Sequence, residues 1–335
     1  MTAFWKSQLA VDTAPAPIDP WSRLVCQDDG PLVLAALESN AAAGPWVVVD
    51  VDSGTAAVGR QLTPIADGHL RADGSGLLLT YRGLTPVRVV PEPVVGPSRG
   101  AGLGTGKDAH EQTMLDLGSE VVAVGRWFRQ TSKLVNTVTG QVLRRLPAEP
   151  PFFLLPAATG HARLWALGSG AVFTLDTRTW HTVSSEEAPR GLAACRTPHG
   201  TVAVLGTVDA SFDESLGHAL LRDVAPGKLL HKLRSPFVGL RLALLNDDLT
   251  EVSSDKASWL WQALDDPDIR GAVRLTADNA GRVVLTTAQG LTLVEPLSLQ
   301  LLAQHRTRAW PAPWSGRSRA CYWSGERELT VLAWT

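Results

Sequence analysis

The reading of this chain turns on three runs inside Gly118–Pro147: Val121-Val122-Ala123-Val124-Gly125-Arg126-Trp127, Lys133-Leu134-Val135-Asn136 and Gln141-Val142-Leu143-Arg144-Arg145-Leu146. Each is a β-branched, apolar-rich segment of strand length. The joint between the last two is Asn136-Thr137-Val138-Thr139-Gly140. There a Gly supplies positive φ, and an Asn side chain bonds its own backbone. The three runs therefore read as an antiparallel meander.

Working outward, the same unit returns along most of the chain. Strands are expected at Thr2–Val11, Leu24–Gln27, Pro31–Leu37 and Trp46–Val51, followed by the turn Asp50-Val51-Asp52-Ser53-Gly54. Gly76–Tyr81 and Val87–Val90 form a further pair around Arg82–Pro86. Ala162–Leu167, Ala171–Asp176 and Trp180–Val183 form the next unit, and Gly200–Leu205, His218–Arg222 and Leu229–Leu233 another. Val283–Thr287, Leu291–Val294 and Leu297–Leu302 follow, and the chain closes with Ala320–Trp323 and Leu329–Trp334.

Two stretches interrupt the pattern. Residues 91–112 are rich in Pro and Gly, and residues 236–271 contain a helix candidate, Ser253–Leu264, with Ser254 or Asp255 as N-cap and an apolar stripe of Trp259-Leu260 and Ala263-Leu264.

The turns fall into register. Asp50/Ser53/Gly54, Asn136/Thr139/Gly140 and Asp223/Pro226/Gly227 match fully, and Arg82/Thr85/Pro86 and Asp176/Thr179/Trp180 match in part. Their first residues lie 32, 54, 40 and 47 positions apart, the widest gap holding the first interruption. A period near 40 to 45 residues with several strands per unit resembles the repeats of WD40 and quinoprotein-type β-propellers. The resemblance is at the level of fold. No Trp is followed by Asp, and the adjacent cysteines of quinoprotein dehydrogenases are absent.

It implies one all-β propeller domain over residues 1–335, with seven blades the expected count and six or eight the neighbouring ones. The terminal strands should share a blade and close the ring, which removes the exposed edges.

Composition excludes several function classes. The 335 residues are 44% hydrophobic and 19% charged with a net charge of -2, so the chain buries a large core and carries no global bias toward nucleic acid. No signal-peptide pattern and no long apolar run occurs, and the three cysteines lack CxxC spacing, which points to a cytoplasmic protein without a zinc site.

Ala101–Lys107 has the spacing of a phosphate loop, but Asp108 stands where a Ser or Thr should hold magnesium. The eight histidines show no HxH or HxxxH spacing, no Gly-x-Ser-x-Gly elbow occurs, and the acidic residues around Asp247 and Asp265 lack a calcium-loop pattern. No cofactor or metal is expected.

The two interruptions are the expected functional surface, with Arg99 and Lys107 in the first and Trp259 and Trp261 in the second as candidate partner-binding residues. The expected role is a non-catalytic scaffold in a cytoplasmic bacterial-type assembly. Its partner would be a protein, an AAA-type ATPase or a von Willebrand-type domain protein, with no membrane and no specific nucleic acid. The alternative is a propeller enzyme or ligand binder of hydrolase or lactonase type, working in the central channel.

Overall fold

The computed structural model describes residues 6–12, 23–27, 30–38, 43–90, 92–100, 112–126, 129–207, 240–256, 273–287, 290–295, 297–298, 300–307, 314–315, 319–323 and 328–333. Among these residues, 28 strands form seven four-stranded antiparallel sheets, arranged as the blades of a β-propeller.

Blade 1 is β2 (Val25–Cys26), β3 (Leu32–Ala36), β4 (Gly44–Asp50) and β5 (Thr55–Leu62). Blade 2 is β6 (Ile65–Leu70), β7 (Ser75–Thr80), β8 (Gly83–Arg88) and β9 (Val94–Val95). Blade 3 is β10 (Gln112–Asp116), β11 (Val121–Arg126), β12 (Ser132–Asn136) and β13 (Val142–Leu146). Blade 4 is β14 (Phe152–Leu155), β15 (His161–Ala166), β16 (Ala171–Asp176) and β17 (Thr182–Glu187).

Blade 5 is β18 (Ala193–Arg196), β19 (Val202–Thr207), β20 (Leu240–Leu245) and β21 (Glu251–Lys256). Blade 6 is β22 (Arg274–Ala277), β23 (Val283–Thr287), β24 (Gly290–Val294) and β25 (Leu301–Arg306). Blade 7 joins the two ends of the sequence, β1 (Lys6–Asp12) pairing with β28 (Glu328–Ala333), then β27 (Arg319–Trp323) and β26 (Trp314–Ser315).

The apolar runs follow from this architecture. A blade packs on a neighbour at each face, so its middle strands are buried on both sides and carry no polar alternation. In β11, Val121 and Ala123 pack with Leu164 and Phe173 of blade 4, while Val122 and Val124 pack with Leu79 and Leu84 of blade 2. Each such Val contributes about 1.5–3 kcal/mol of apolar burial. The outermost strands lack a second cover, and every residue of β17 is exposed.

The turns between third and fourth strands carry the sequence repeat. Asn136 Oδ1 accepts the N–H of Val138 at 3.0 Å and of Thr139 at 2.8 Å, and the N–H of Gly140 reaches the Asn136 carbonyl at 2.8 Å. Asp50 and Asp176 make the same bonds in blades 1 and 4. In blade 4, Trp180 takes the glycine position at φ 57° while its side chain is buried in the blade 3–4 core. Hydrogen bonds from Thr179, first from its backbone and then from its hydroxyl, hold the Asp176 carboxyl below its ordinary value. Glu295 caps the equivalent turn of blade 6 through Leu297 and Ser298.

Several sequence expectations need correction. The helix expected from Ser253 does not begin there: 253–256 belong to β21, paired along β20 from Leu244↔Ser253 to Arg241↔Lys256. Local helix propensity yields to an available strand edge. Residues 257–264, with Trp259 and Trp261, lie outside the described residues.

The span 236–271 therefore supplies two strands of blade 5. The expected strands at 218–222 and 229–233 and the turn at Asp223 also fall outside the described residues. Arg82 sits in a two-residue turn between β7 and β8, at the opposite end of the blade from the capped turns. Residues 297 and 298 belong to the Glu295 turn, which the Glu295 N–H closes on the Gln300 carbonyl, and the strand follows as β25.

Gly140 combines positive φ (74°) with close approach: a Cβ there would lie 2.4 Å from the backbone N of Gly100. Gly118 has nearly the same φ (75°) and nothing within 4 Å. We predict that Gly140→Ala costs about 1–3 kcal/mol and clearly exceeds the loss from Gly118→Ala in thermal or denaturant unfolding. Equal losses would remove the role of that blade 2–3 contact.

Candidate functional site

Strand polarity divides the ring into two ends. Within a blade, the first and third strands run one way and the second and fourth the other. All turns from first to second and from third to fourth strand therefore lie at one end, and they are three to six residues long. The connections at the other end, where the inner strands begin, include 96–111, 257–273 and, between β19 and β20, the 32 residues 208–239. We call this the entry end.

At the entry end three charged side chains converge. Asp67 is on β6; its Oδ2 accepts the Met114 N–H of β10 at 2.8 Å and its Oδ1 the Gly68 N–H at 2.9 Å. Arg23, just before β2, brings Nη1 to 4.0 Å from Asp67 Oδ2, while its own N–H bonds the Ile65 carbonyl at 2.9 Å. Arg274, the first residue of β22, brings Nη2 to 3.6 Å from Asp67 Oδ1.

Blades 2 and 6 are not neighbours, so the Asp67–Arg274 pair reaches across the channel. The Asp67 side chain is only 12% exposed. Burial pulls the Arg23 guanidinium below its ordinary value; Asp67 opposes that shift and Arg274 adds to it.

Two guanidinium groups share one carboxylate, which ties blades 1, 2, 3 and 6 together near the axis. Next to it along the rim, at the start of β10, Gln112 is buried, and among the described residues neither its amide atoms nor Thr113 Oγ1 has a hydrogen-bond partner. Among the described residues no group of three or more His, Cys, Asp or Glu is placed to hold a metal ion, and no helix is long and apolar enough to cross a membrane.

Of the residues singled out in the sequence, Arg99 is described and Lys107, Trp259 and Trp261 are not. Arg99 continues the edge of blade 2 by pairing its backbone with Leu84 at 2.8 and 2.9 Å. Its Nη1 lies 3.4 Å from the Thr137 carbonyl in the capped turn of blade 3. It joins two blades at their outer rim and is half-buried. Motif reading passed over Arg23, Asp67 and Arg274. A signal was present: Arg23-Leu24-Val25-Cys26 and Arg274-Leu275-Thr276-Ala277 hold the same place in their repeats, with Leu24 and Leu275 each turned to the preceding blade.

No protein-family model and no curated protein matches the sequence. Solved structures do match it in fold. A chain of the mitotic checkpoint complex aligns at TM-score 0.56 and 11% identity, covering 98% of this chain and 91% of that one. The WD40 β-propeller domain of Doa1 aligns at TM-score 0.56 and 9% identity, covering 99% and 98%. The WD40 domain of Toxoplasma gondii coronin aligns at TM-score 0.55 and 10% identity, covering 98% and 85%.

The fold is that of a β-propeller.

At these identities the likeness concerns the propeller fold alone, as the missing Trp-Asp pairs already indicated. The Arg23–Asp67–Arg274 cluster is described from this propeller's own geometry. Asp67→Asn removes the negative charge that both guanidinium groups face. We predict a loss of about 3 kcal/mol or more in unfolding free energy, partly recovered by adding Arg274→Gln in a double-mutant cycle. Strict additivity of the two changes would show that the pair does not couple across the channel.

Proposed function

We propose that the chain is a non-catalytic, protein-binding propeller that receives its partner on the entry end of the ring. One observation carries the proposal: every connection longer than six residues leaves and returns at that end, while the opposite end is made of short, internally capped turns. Long connections on a rigid scaffold can change sequence without cost to the blades, and binding residues concentrate there. The WD40 propellers it is similar to support the same reading, one of them being a chain in a multiprotein complex.

In its finer form, the partner is an AAA-type ATPase or a von Willebrand-type domain protein in a cytoplasmic bacterial-type assembly, by analogy of fold. Arg99, Lys107, Trp259 and Trp261 all belong to connections that leave and return at the entry end. These four residues form the proposed contact set. The channel alternative draws less support, because Asp67, the carboxylate at the channel mouth, already accepts two backbone N–H groups and faces two arginines.

The test is affinity capture of the full tagged chain from its native host, with quantitative mass spectrometry. A variant carrying Lys107→Glu, Trp259→Ala and Trp261→Ala is expected to lose at least about tenfold of a stoichiometric partner, each 1.4 kcal/mol of lost contact being one factor of ten. Arg178→Glu, in the exposed turn at the other end, is expected to keep it. Loss with Arg178→Glu alone, or no partner with either chain, contradicts the proposal.

A further inference from the structure

We propose that Cys26 and Cys321 are a reversible disulfide pair that locks the ring shut when the chain meets a two-electron thiol oxidant. Their Sγ atoms lie 3.5 Å apart across the seam between blades 1 and 7, and the two residues are 295 positions apart in sequence. Cys26 ends the inner strand β2, paired with Val33; Cys321 is the centre of β27, paired with Trp314 and Val331. Both are buried, 6% and 2% exposed, in one core with Leu24, Val49, Leu329 and Val331. That core packs the first complete blade against the blade made from both ends of the sequence.

A disulfide needs the sulfurs at about 2.05 Å, an approach of roughly 1.5 Å from where they stand. The third cysteine makes an internal control. Cys195 is buried in the blade 5–6 core, which holds no other cysteine, and burial pushes its thiol up to about 12. With no second cysteine in that core, it has no partner for a disulfide.

The chemistry balances with an azo-type oxidant. One thiol loses its proton and adds through sulfur to the N=N bond. The second thiolate attacks that sulfur, the S–S bond forms, and the S–N bond breaks. Two electrons and two protons end on the nitrogen compound, which leaves as the hydrazine. A dithiol reductant reverses the result by exchange.

The bond would convert a closure held by strand pairing and packing into a covalent one, constraining a loop that spans nearly the whole chain. Such constraints act mainly on the unfolded state and grow with loop length. A midpoint rise of about 5–10 °C is expected for a chain of this size.

The test uses the full chain. The native protein is treated with diamide, freed of oxidant, unfolded in guanidinium without reductant, labelled with a maleimide and weighed intact. The expected result is one label, on Cys195, against three for the reduced protein, with Cys26 and Cys321 recovered in one cross-linked peptide pair. The midpoint should rise on oxidation and fall back with dithiothreitol. Cys26→Ser and Cys321→Ala should each keep two labels and show no rise. Three labels on the oxidised wild type, a linkage that includes Cys195, or a Cys26–Cys321 bond without a rise in midpoint would each overturn the proposal.

Discussion

The structure depends on one antiparallel pairing, β1 with β28, which runs from Lys6↔Ala333 to Asp12↔Glu328 with one irregularity between Ser7 and Leu9. Every other sheet is local in sequence. Blade 7 alone draws strands from both ends of the sequence, and its pairing turns an open row of sheets into a ring. Without it, the interior strand β28 would become the open edge of blade 7, a template for association with other chains. The entropic cost of closing so long a loop rises only with the logarithm of its length, so strand pairing and seam packing can meet it. The seam core of Leu24, Val33, Val47, Val49, Leu329 and Val331 supplies the apolar part.

Closure explains why the middle of each blade is so apolar and the rim so plain. A sheet held between two others is dry on both faces, so β3, β11, β23 and β24 are buried at nearly every position. Polar groups that remain near the axis must find partners. Asp67 does so by accepting two N–H groups and facing two arginines, which fixes four blades relative to one another. At the rim, polar contacts such as Arg319–Asp52 at 2.7 Å and His305–Tyr322 at 3.1 Å join neighbouring blades. Burial holds the His305 imidazole below its ordinary value of 6.5. A base depressed on folding favours the folded chain above the unfolded pKa, so this contribution weakens as pH falls through 6.5 toward the folded value.

Much of this was legible in the sequence because the governing rules are local. Val121–Val124 reads as a buried strand from its residues alone, and Asn136, Asp50 and Asp176 announce their turns by side chains that bond their own backbone. The shared terminal blade was legible because Thr2–Val11 had no nearby hairpin partner and the last two strands made only half a sheet. Other parts depend on distant residues. Glu295 caps its turn as the shorter Asp does, but with the longer side chain and no glycine after it, so the repeat escaped notice. Residues 253–256 carry helix-compatible side chains and become a strand because β20 offers an edge, a fact absent from that stretch of sequence. Arg23, Asp67 and Arg274 come from three blades and meet only when the ring exists.

The most direct measurement compares thermal unfolding of the full chain with that of residues 13–335, in the presence and absence of a synthetic peptide of residues 1–12. If the ring is closed by β1, the shortened chain melts earlier and self-associates, and the peptide restores both the midpoint and the monomer. A shortened chain that melts like the full one and ignores the peptide would contradict the closure on which the rest of this account stands.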